Sequence, residues 1–318
     1  MTMKCASFFA GVGGIDLGFE QAGFEIVYAN EIDKFAVETF KANHKAFMDH
    51  RSITDVQAEE IPDFDIMLAG FPCQAFSVAG YRKGFADKGR GDLYFELERI
   101  FIAKQPKIIF LENVKNLVSH DKGRTFEIIK QSLQENGYHI KFQVLNACDY
   151  GNIPQNRERI YIVCFKDQTL MEKFEFPEKL PLTTNIKDML EKESNIEAKY
   201  YYTEKTPFYA KLVDEIKDAK TLYQWRRQYV RANKSNLCPT LTANMGTGGH
   251  NVPLLNVQGQ KDTIRKLTPR ECFNFQGYPK DFVLPNISNG NLYKQAGNSV
   301  VVPVIRRIAE QIQKVVNS

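Results

Sequence analysis

Residues 4–33 read KCASFFAGVGGIDLGFEQAGFEIVYANEID, and the order of apolar runs, glycines and acids in that stretch decides the fold. Lys4 to Phe9 is a short apolar run, as a strand requires. Gly14 to Ala22 places Ile15, Gly18, Phe19 and Ala22 on one helical face, and Ile26 to Asn30 is a second strand. The turn between the first strand and the helix is Phe8-Phe9-Ala10-Gly11-Val12-Gly13-Gly14. Its glycines let a ligand come close to the backbone, and the helix start offers unpaired N–H groups. Seventeen residues past Gly14, at the second strand's tip, stands Glu31, followed by Ile32. A carboxylate there can accept both ribose hydroxyls of an adenosine, and Ile32 can pack on the base. A dinucleotide fingerprint would need glycine at position 16, where Asp16 stands, so an adenosyl ligand without phosphates suits the turn better. A loop that merely joins strand to helix is the other reading.

Outward from this unit the alternation continues. Lys34 to Asn43, Leu93 to Ala103 and Gly123 to Asn136 have helical spacing, whereas Asp65 to Gly70 (DIMLAG) and Lys107 to Leu111 (KIIFL) are unbroken apolar runs, expected of strands buried on both faces. Tyr138 to Ala147 and Arg159 to Phe165 read as closing strands. The fold class is therefore α/β, a doubly wound and mostly parallel sheet. From about Pro177 the periodicity dissolves, and it returns at Tyr293 to Val316, read as a late helix. This predicts a catalytic and cofactor-binding domain over 1–187, a smaller inserted domain over 188–270, a hinge region over 271–292, and a C-terminal helix over 293–318 that returns to the first domain.

Composition narrows the class. With 318 residues, 43% hydrophobic and 25% charged, the chain is globular, and disordered, collagen-like and coiled-coil designs are excluded. It lacks a run of roughly 18 apolar residues that would cross a membrane. No signal-peptide pattern opens the sequence, so a cytoplasmic location is expected. The balance of 42 Lys+Arg against 38 Asp+Glu gives +4, which permits a nucleic-acid partner without demanding one. The six cysteines form no C-x-x-C and have no histidine at zinc-finger spacing, so reduced thiols and no metal are expected.

One cysteine stands apart. Cys73, in Gly70-Phe71-Pro72-Cys73-Gln74, follows the DIMLAG strand at the carboxyl edge of a parallel sheet, where ligand-binding residues gather. The loop beyond it holds Gly80, Gly84, Gly89 and Gly91 within twelve residues, together with Arg82, Lys83, Lys88 and Arg90, as a cationic lid over a polyanion would. A small side chain at a strand end is the plain alternative. KIIFL delivers Glu112 to the neighbouring tip, either a tuned proton donor or a helix-capping carboxylate. Arg157 and Arg159 alternate ahead of a strand, so both point to one side, toward a phosphate, a nucleobase oxygen or Glu112, or into surface salt bridges.

Together FFAGVGG, NEID, GFPCQAFSVAG, LENVKNL, IPQNRERIYIV, RKLTPREC and YKQAGNSV, in order from Phe8 to Val302, closely resemble the cytosine-C5 DNA methyltransferases of bacterial restriction–modification systems. The resemblance implies a Rossmann-like S-adenosylmethionine-dependent domain, a small target-recognition domain, no metal, and S-adenosylhomocysteine as product. It implies Cys73 as the nucleophile at C6 of a flipped cytosine, Glu112 at N3 and the exocyclic amine, and Arg159 with Arg157 at O2 or ordering the catalytic residues. Cofactor contacts carry over to Phe9, Gly11, Gly13, Glu31, Ile32, Ile53, Leu93, Asn298 and Val300. Where the family usually has Asp-Ile at the adenine amine, this chain has Ser52-Ile53, and serine can accept that bond but carries no charge.

Double-stranded DNA is the implied partner, bound by a monomer, with a companion restriction endonuclease acting independently. Ser77, Arg82 and Arg90 would lie near the DNA backbone. In the recognition domain, Tyr223 to Asn236 carries Arg226, Arg227 and Arg231 without an acid, and Thr240, Thr242 and Asn244 follow. Arginine paired with guanine is the commonest base contact, which points to a short G·C-rich site of the GG-N-CC or GG-W-CC type; arginines that hold only phosphates are the alternative. The rival readings are a tRNA cytosine-C5 methyltransferase, a nucleotide-dependent oxidoreductase and a non-catalytic relative. The Cys-Phe-Thr motif typical of the tRNA enzymes is missing, the broken fingerprint opposes the second, and Cys73, Glu112 and Arg159 oppose the third.

Overall fold

A computed structural model describes residues 2–72, 93–233, 236–247, 251–258 and 263–318, and the chain divides into two compact units. The first comprises Met1–Leu145, Glu158–Glu178 and Ile305–Ser318. Its strands are β1 (Lys4–Phe8), β2 (Glu25–Asn30), β3 (Phe47–Asp49), β4 (Ile66–Gly70), β5 (Ile108–Val114), β6 (His139–Asn146) and β7 (Glu158–Phe165). They form one sheet in the order β3-β2-β1-β4-β5-β7-β6. The pairs from β3 through β5 are parallel, and β7 runs antiparallel to β5. The mostly parallel sheet expected from the alternation is therefore present.

The first four helices of this unit are α1 (Gly14–Gln21), α2 (Lys34–Asn43), α3 (Leu93–Lys104) and α4 (Arg124–Glu135). β4 and β5 are buried nearly throughout, which is why each reads as an unbroken apolar run. A large core joins Phe8, Tyr28, Met67, Tyr94, Phe101 and Leu111. Gly18 marks a close approach: a β-carbon there would lie 2.6 Å from Cγ2 of Ile305. β3 was not anticipated, since three residues carry too little period to read.

The second unit comprises Asn146–Arg157 and Lys179–Val304. After α5 (Ala147–Tyr150), and α6 (Gln168–Lys173) of the first unit, it holds α7 (Tyr209–Glu215), β8 (Tyr223–Trp225), β9 (Val230–Ala232), β10 (Leu254–Asn256) and β11 (Ile264–Lys266). These strands make an antiparallel sheet in the order β11-β10-β8-β9. Segments of three residues explain why the sequence shows no steady pattern here. The unit has its own small core around Leu212, Trp225, Leu254 and Ile264, with the Trp225 ring stacked on Phe208 at 4.6 Å.

Helices α8 (Pro269–Asn274), α9 (Asn289–Asn298) and α10 (Val302–Val316) complete the chain. The late run expected as one helix is two, α9 and α10. Inside a single helix Pro303 would remove a hydrogen bond and clash with the preceding turn, but it is tolerated in the first turn of a new one. Ser299 is accordingly extended, at φ −73° and ψ 174°. At α8, Thr268 caps the helix and accepts from Glu271 N, Glu271 reaches back to Thr268 N at 2.8 Å, and Pro269 follows the cap.

Glu271 also anchors a buried ion pair. Arg265, fully buried, donates from both terminal nitrogens to the Glu271 carboxylate at 2.8 Å and from Nε to Glu193 at 3.1 Å. Removing one partner would leave a charge uncompensated. Arg265→Leu is expected to cost about 3–5 kcal/mol in urea unfolding, and Arg265→Leu with Glu271→Leu to cost less than the single change.

Candidate functional site

In the first unit the sheet reverses its winding between β1 and β4, whose register aligns Phe8 with Ala69. Loops that leave the carboxyl ends of two such strands diverge and open a crevice. The turn after β1 has left-handed backbone at Phe9 (φ 54°), Gly11 (φ 58°) and Gly13 (φ 83°). It is tied to the tip of β2: Ala10 N donates to Asn30 O at 3.0 Å, and Gly11 N donates to Glu31 Oε2 at 2.8 Å. The other oxygen of Glu31 accepts from Asp33 N at 2.8 Å, and Asp33 caps α2 through Phe35 N at 3.0 Å. Glu31 is thus oriented by peptide donors on both sides.

Ile32 beside it is 64% exposed, an apolar side chain offered to solvent at a strand tip. Among the described residues, a β-carbon at Gly11 would meet nothing within 4 Å. The Ser52-Ile53 segment lies alongside. His50 Nε2 is 3.1 Å from Ile32 O, and Asn30 donates to Arg51 O at 2.9 Å. Arg99 of α3 holds the segment from behind, donating to Ile53 O at 3.1 Å and Val56 O at 2.9 Å. Ile53 is buried, while Ser52 is half-buried with its hydroxyl 2.8 Å from that of Thr54. Leu93 and Phe9, both partly buried, pack on the main core.

The donor set suits an adenosyl group: a fixed carboxylate, an exposed isoleucine, a hydroxyl and an open glycine. It suits a pyrophosphate poorly. Asp16, which stands where the fingerprint needs glycine, is fully buried in the first turn of α1 and accepts from Ser7 Oγ at 3.0 Å. Burial pushes its carboxyl up to about 6, tempered by the charge of His44.

At the next tips, Glu112 and Arg159 come together. They are diagonal neighbours on β5 and β7, where Glu112 faces Tyr161 and Val114 faces Arg159. Arg159 Nε lies 3.1 Å from Glu112 Oε1, with both side chains largely buried at 14% and 11% exposure. Gly70 is paired with Glu112 in the sheet, and a β-carbon there would be in ordinary contact with Glu112 Oε2 at 3.5 Å. Asn113 donates to Phe71 O at 2.9 Å in a buried bond, fixing the chain two residues before Cys73. Cys73, Ser77, Arg82 and Arg90 lie outside the described residues. The five described cysteines, Cys5, Cys148, Cys164, Cys238 and Cys272, are buried free thiols.

The two arginines have different partners. Arg157 belongs to the second unit, where its guanidinium donates to Leu241 O at 2.7 Å, to Gly297 O at 3.2 Å, and to Ser299 O. It thereby joins the segment of Thr240 and Thr242 to the end of α9, where Asn298 is exposed and Val300 buried. Gly297 makes this possible, since a β-carbon would fall 2.1 Å from the Thr242 backbone. Thr240 donates to Asn156 O at 2.6 Å, and Thr242 and Asn244 are exposed. Arg226, Arg227 and Arg231 are exposed on the β8–β9 hairpin, Arg226 donating to Gln224 Oε1 at 2.9 Å. Arg227 has φ 63°, and Tyr229 beside it is 60% exposed.

Two residues with no role in the sequence reading stand at the site, Asn113 beneath the Phe71 carbonyl and His44 beneath the glycine turn. Asn113 sits within the quoted LENV segment, so its position at a strand tip was a usable signal. His44 follows a helix with no motif around it, and only folding brings it to Gly13.

The family model for C-5 cytosine-specific DNA methylases matches residues 3–314. The chain is 61% identical over 314 residues to the Type II methyltransferase M.Bsp6I of Bacillus sp. (strain RFL6), covering 98% of this chain and 99% of that protein. It is 39% identical over 333 residues to the Type II methyltransferase M.HhaI of Haemophilus parahaemolyticus, covering 99% and 95%. Among solved structures, Spodoptera frugiperda DNMT2 matches with a TM-score of 0.75 at 19% identity, covering 98% of this chain and all of that one, a likeness of fold. A doubly wound unit with a fixed Glu–Arg pair at its strand tips, and relatives matched nearly end to end, place the chain in the C-5 cytosine-specific DNA methylase family, as a DNA cytosine-C5 methyltransferase of the Type II restriction–modification kind.

Proposed function

We propose that the chain methylates C5 of a cytosine swung out of duplex DNA within a short G·C-rich site, through a transient bond between Cys73 and ring C6. The observation that carries this reading is the Glu112–Arg159 pair, held at 3.1 Å beside the strand that leads into Cys73. An aromatic C5 is a weak nucleophile until a thiolate adds at C6. The Cys73 sulfur forms the S–C6 bond and pushes an electron pair toward C5. Glu112 holds N3 and the exocyclic amine while charge develops, and Arg159 orients Glu112 and reaches O2. After C5 gains the methyl group, water takes the C5 proton, the C–H pair re-forms the C5–C6 double bond, and the S–C6 pair leaves with sulfur to regenerate the thiolate.

S-adenosylmethionine, when bound, supplies the methyl group as an electrophile. We assign its adenosyl part to Glu31, Ile32, Ser52 and Ile53, and the rest to the turn of Phe9, Gly11 and Gly13 with Leu93; Asn298 and Val300 are assigned on family resemblance. Arg157 acts by ordering the backbone around Leu241 and Ser299, to which it is bonded. Residues 188–270 serve as the target-recognition domain, with Arg226, Arg227, Arg231, Thr240, Thr242 and Asn244 toward the DNA and Ser77, Arg82 and Arg90 toward its backbone. Extruding the base costs a few kcal/mol, least at a mismatch, so binding should tighten when the target cytosine is mispaired. No helix among the described residues is long and apolar enough to cross a membrane. The reading is completed by a cytoplasmic monomer that works beside an independent endonuclease.

Bisulfite sequencing of plasmid DNA from cells expressing the chain reads out the modified site directly. Unmodified DNA would overturn the activity, and a modified A·T-rich site would overturn the G·C-rich assignment. DNA carrying 5-fluorocytosine at that site is expected to trap a denaturation-resistant complex, since fluorine cannot leave as the proton does. The Cys73→Ser variant should give no complex while still binding DNA. Glu112→Gln is expected to lower the methylation rate roughly 10²–10⁴-fold while leaving S-adenosylhomocysteine affinity unchanged, as measured by single-turnover kinetics and calorimetry. Full activity in either variant removes the mechanism.

A further inference from the structure

Beneath the glycine turn lies a buried cluster that neither the cofactor contacts nor the DNA contacts use. His44 ends α2 in an extended conformation, at φ −119° and ψ 151°, and its side chain is wholly buried. The ring stacks on Phe40 at 4.4 Å. Its Nδ1 lies 3.0 Å from Glu20 Oε2 on α1. Its other edge meets the turn: a β-carbon on Gly13 would fall 2.1 Å from His44 Nε2, so the ring occupies the space any larger residue would need. Asp16 lies close enough for the two charges to act on each other.

Burial by itself would lower the proton affinity of His44. The Glu20 hydrogen bond, the charges of Asp16 and Glu20, and the Val12 peptide outweigh it, and the imidazole holds its proton above the usual histidine range. The titratable groups facing it are Asp16 and Glu20 of α1, with the Cys5 thiol of β1 near those two acids. Cys5 is kept neutral by burial first and then by the charges of Asp16, Asp65 and Glu20.

We propose that His44 is a positioning residue for the cofactor, a buried ring clamped by Glu20 that braces Val12 and Gly13 and so holds the turn carrying Gly11 in its ligand-binding shape. The proposal rests on the reading of that turn as the S-adenosylmethionine site. Its sign is fixed. Glu20 Oε2 and the Val12 peptide are both acceptors at the ring, and only the protonated ring donates to both, so affinity is highest below the His44 midpoint and falls as pH rises through it. Linkage is reciprocal, so ligand binding must raise the His44 midpoint by the same factor.

The test uses the full chain and S-adenosylhomocysteine. Calorimetric affinity is expected to weaken roughly fivefold or more as pH rises through the His44 midpoint, the size typical of coupled sites. With only five histidines in the chain, the His44 ring can be followed by NMR, and its midpoint should move up on saturation by the logarithm of that factor. His44→Gln, which keeps a neutral donor toward Glu20, should lose the fall in affinity that follows the His44 midpoint. Should that variant fail to fold, the wild-type NMR midpoints decide alone. Wild-type affinity that is flat in pH, with a midpoint unmoved by ligand, overturns the brace and leaves the cofactor reading standing. Absence of binding at every pH overturns both.

Discussion

The first unit depends on one constraint of chain topology, the reversal of strand order between β1 and β4. Parallel strands on the two sides of that point send their loops in opposite directions, and the space between cannot be filled by a crossover helix. The consequence is that the glycine turn after β1 and the Phe71-Pro72 segment after β4 flank the same edge of the sheet. Glu112 comes to that edge by hydrogen-bonded register, since β5 pairs with β4 and places Glu112 beside Gly70. Among the described residues, Glu31, Glu112 and Arg159 are set by the strand tips they stand on, and groups carried on strands and helices are held more precisely than groups on loops.

The polar groups left inside follow one rule, that buried charge is accompanied. Arg159 has Glu112, Arg265 has Glu271 and Glu193, and Arg157 has three backbone carbonyls of its own unit. Asp16 is the instructive member. A carboxyl with no surface exposure is disfavoured as an anion, and its proton affinity rises to about 6 despite the Ser7 bond and the nearby His44. The glycine fingerprint fails at this position because the residue points into the protein and takes part in its interior. The turn keeps its close backbone approach at Gly11 and Gly13 and loses what an anionic ligand would require.

Much of the large unit was legible because burial on both faces of a parallel sheet writes itself into sequence as runs such as DIMLAG and KIIFL. The helices following Gly13 and Asp33 were legible for a related reason, since an apolar stripe of period 3.6 admits few other structures. The second unit was not. Its strands are three residues long, and their stability comes from partners such as Trp225 and Phe208 whose stacking has no local signature. The late segment around Ser299 misled for the opposite reason: apolar spacing continued across a break that Pro303 and the bonds to Arg157 impose.

By itself the sequence determined the fold class, the order of chemical groups along it, and the family, because those depend on patterning and on motifs of adjacent residues. Only the tertiary structure decided which groups meet. Arg157 and Arg159, two residues apart and alike on paper, went to different units and different partners, since one lies within β7 and the other just before it. Glu112 found its arginine through a diagonal across two antiparallel strands, and His44 found Gly13 through the packing of α2 beside α1. Contacts of that kind are set by register and packing between segments distant in the chain, and local spacing holds no record of them.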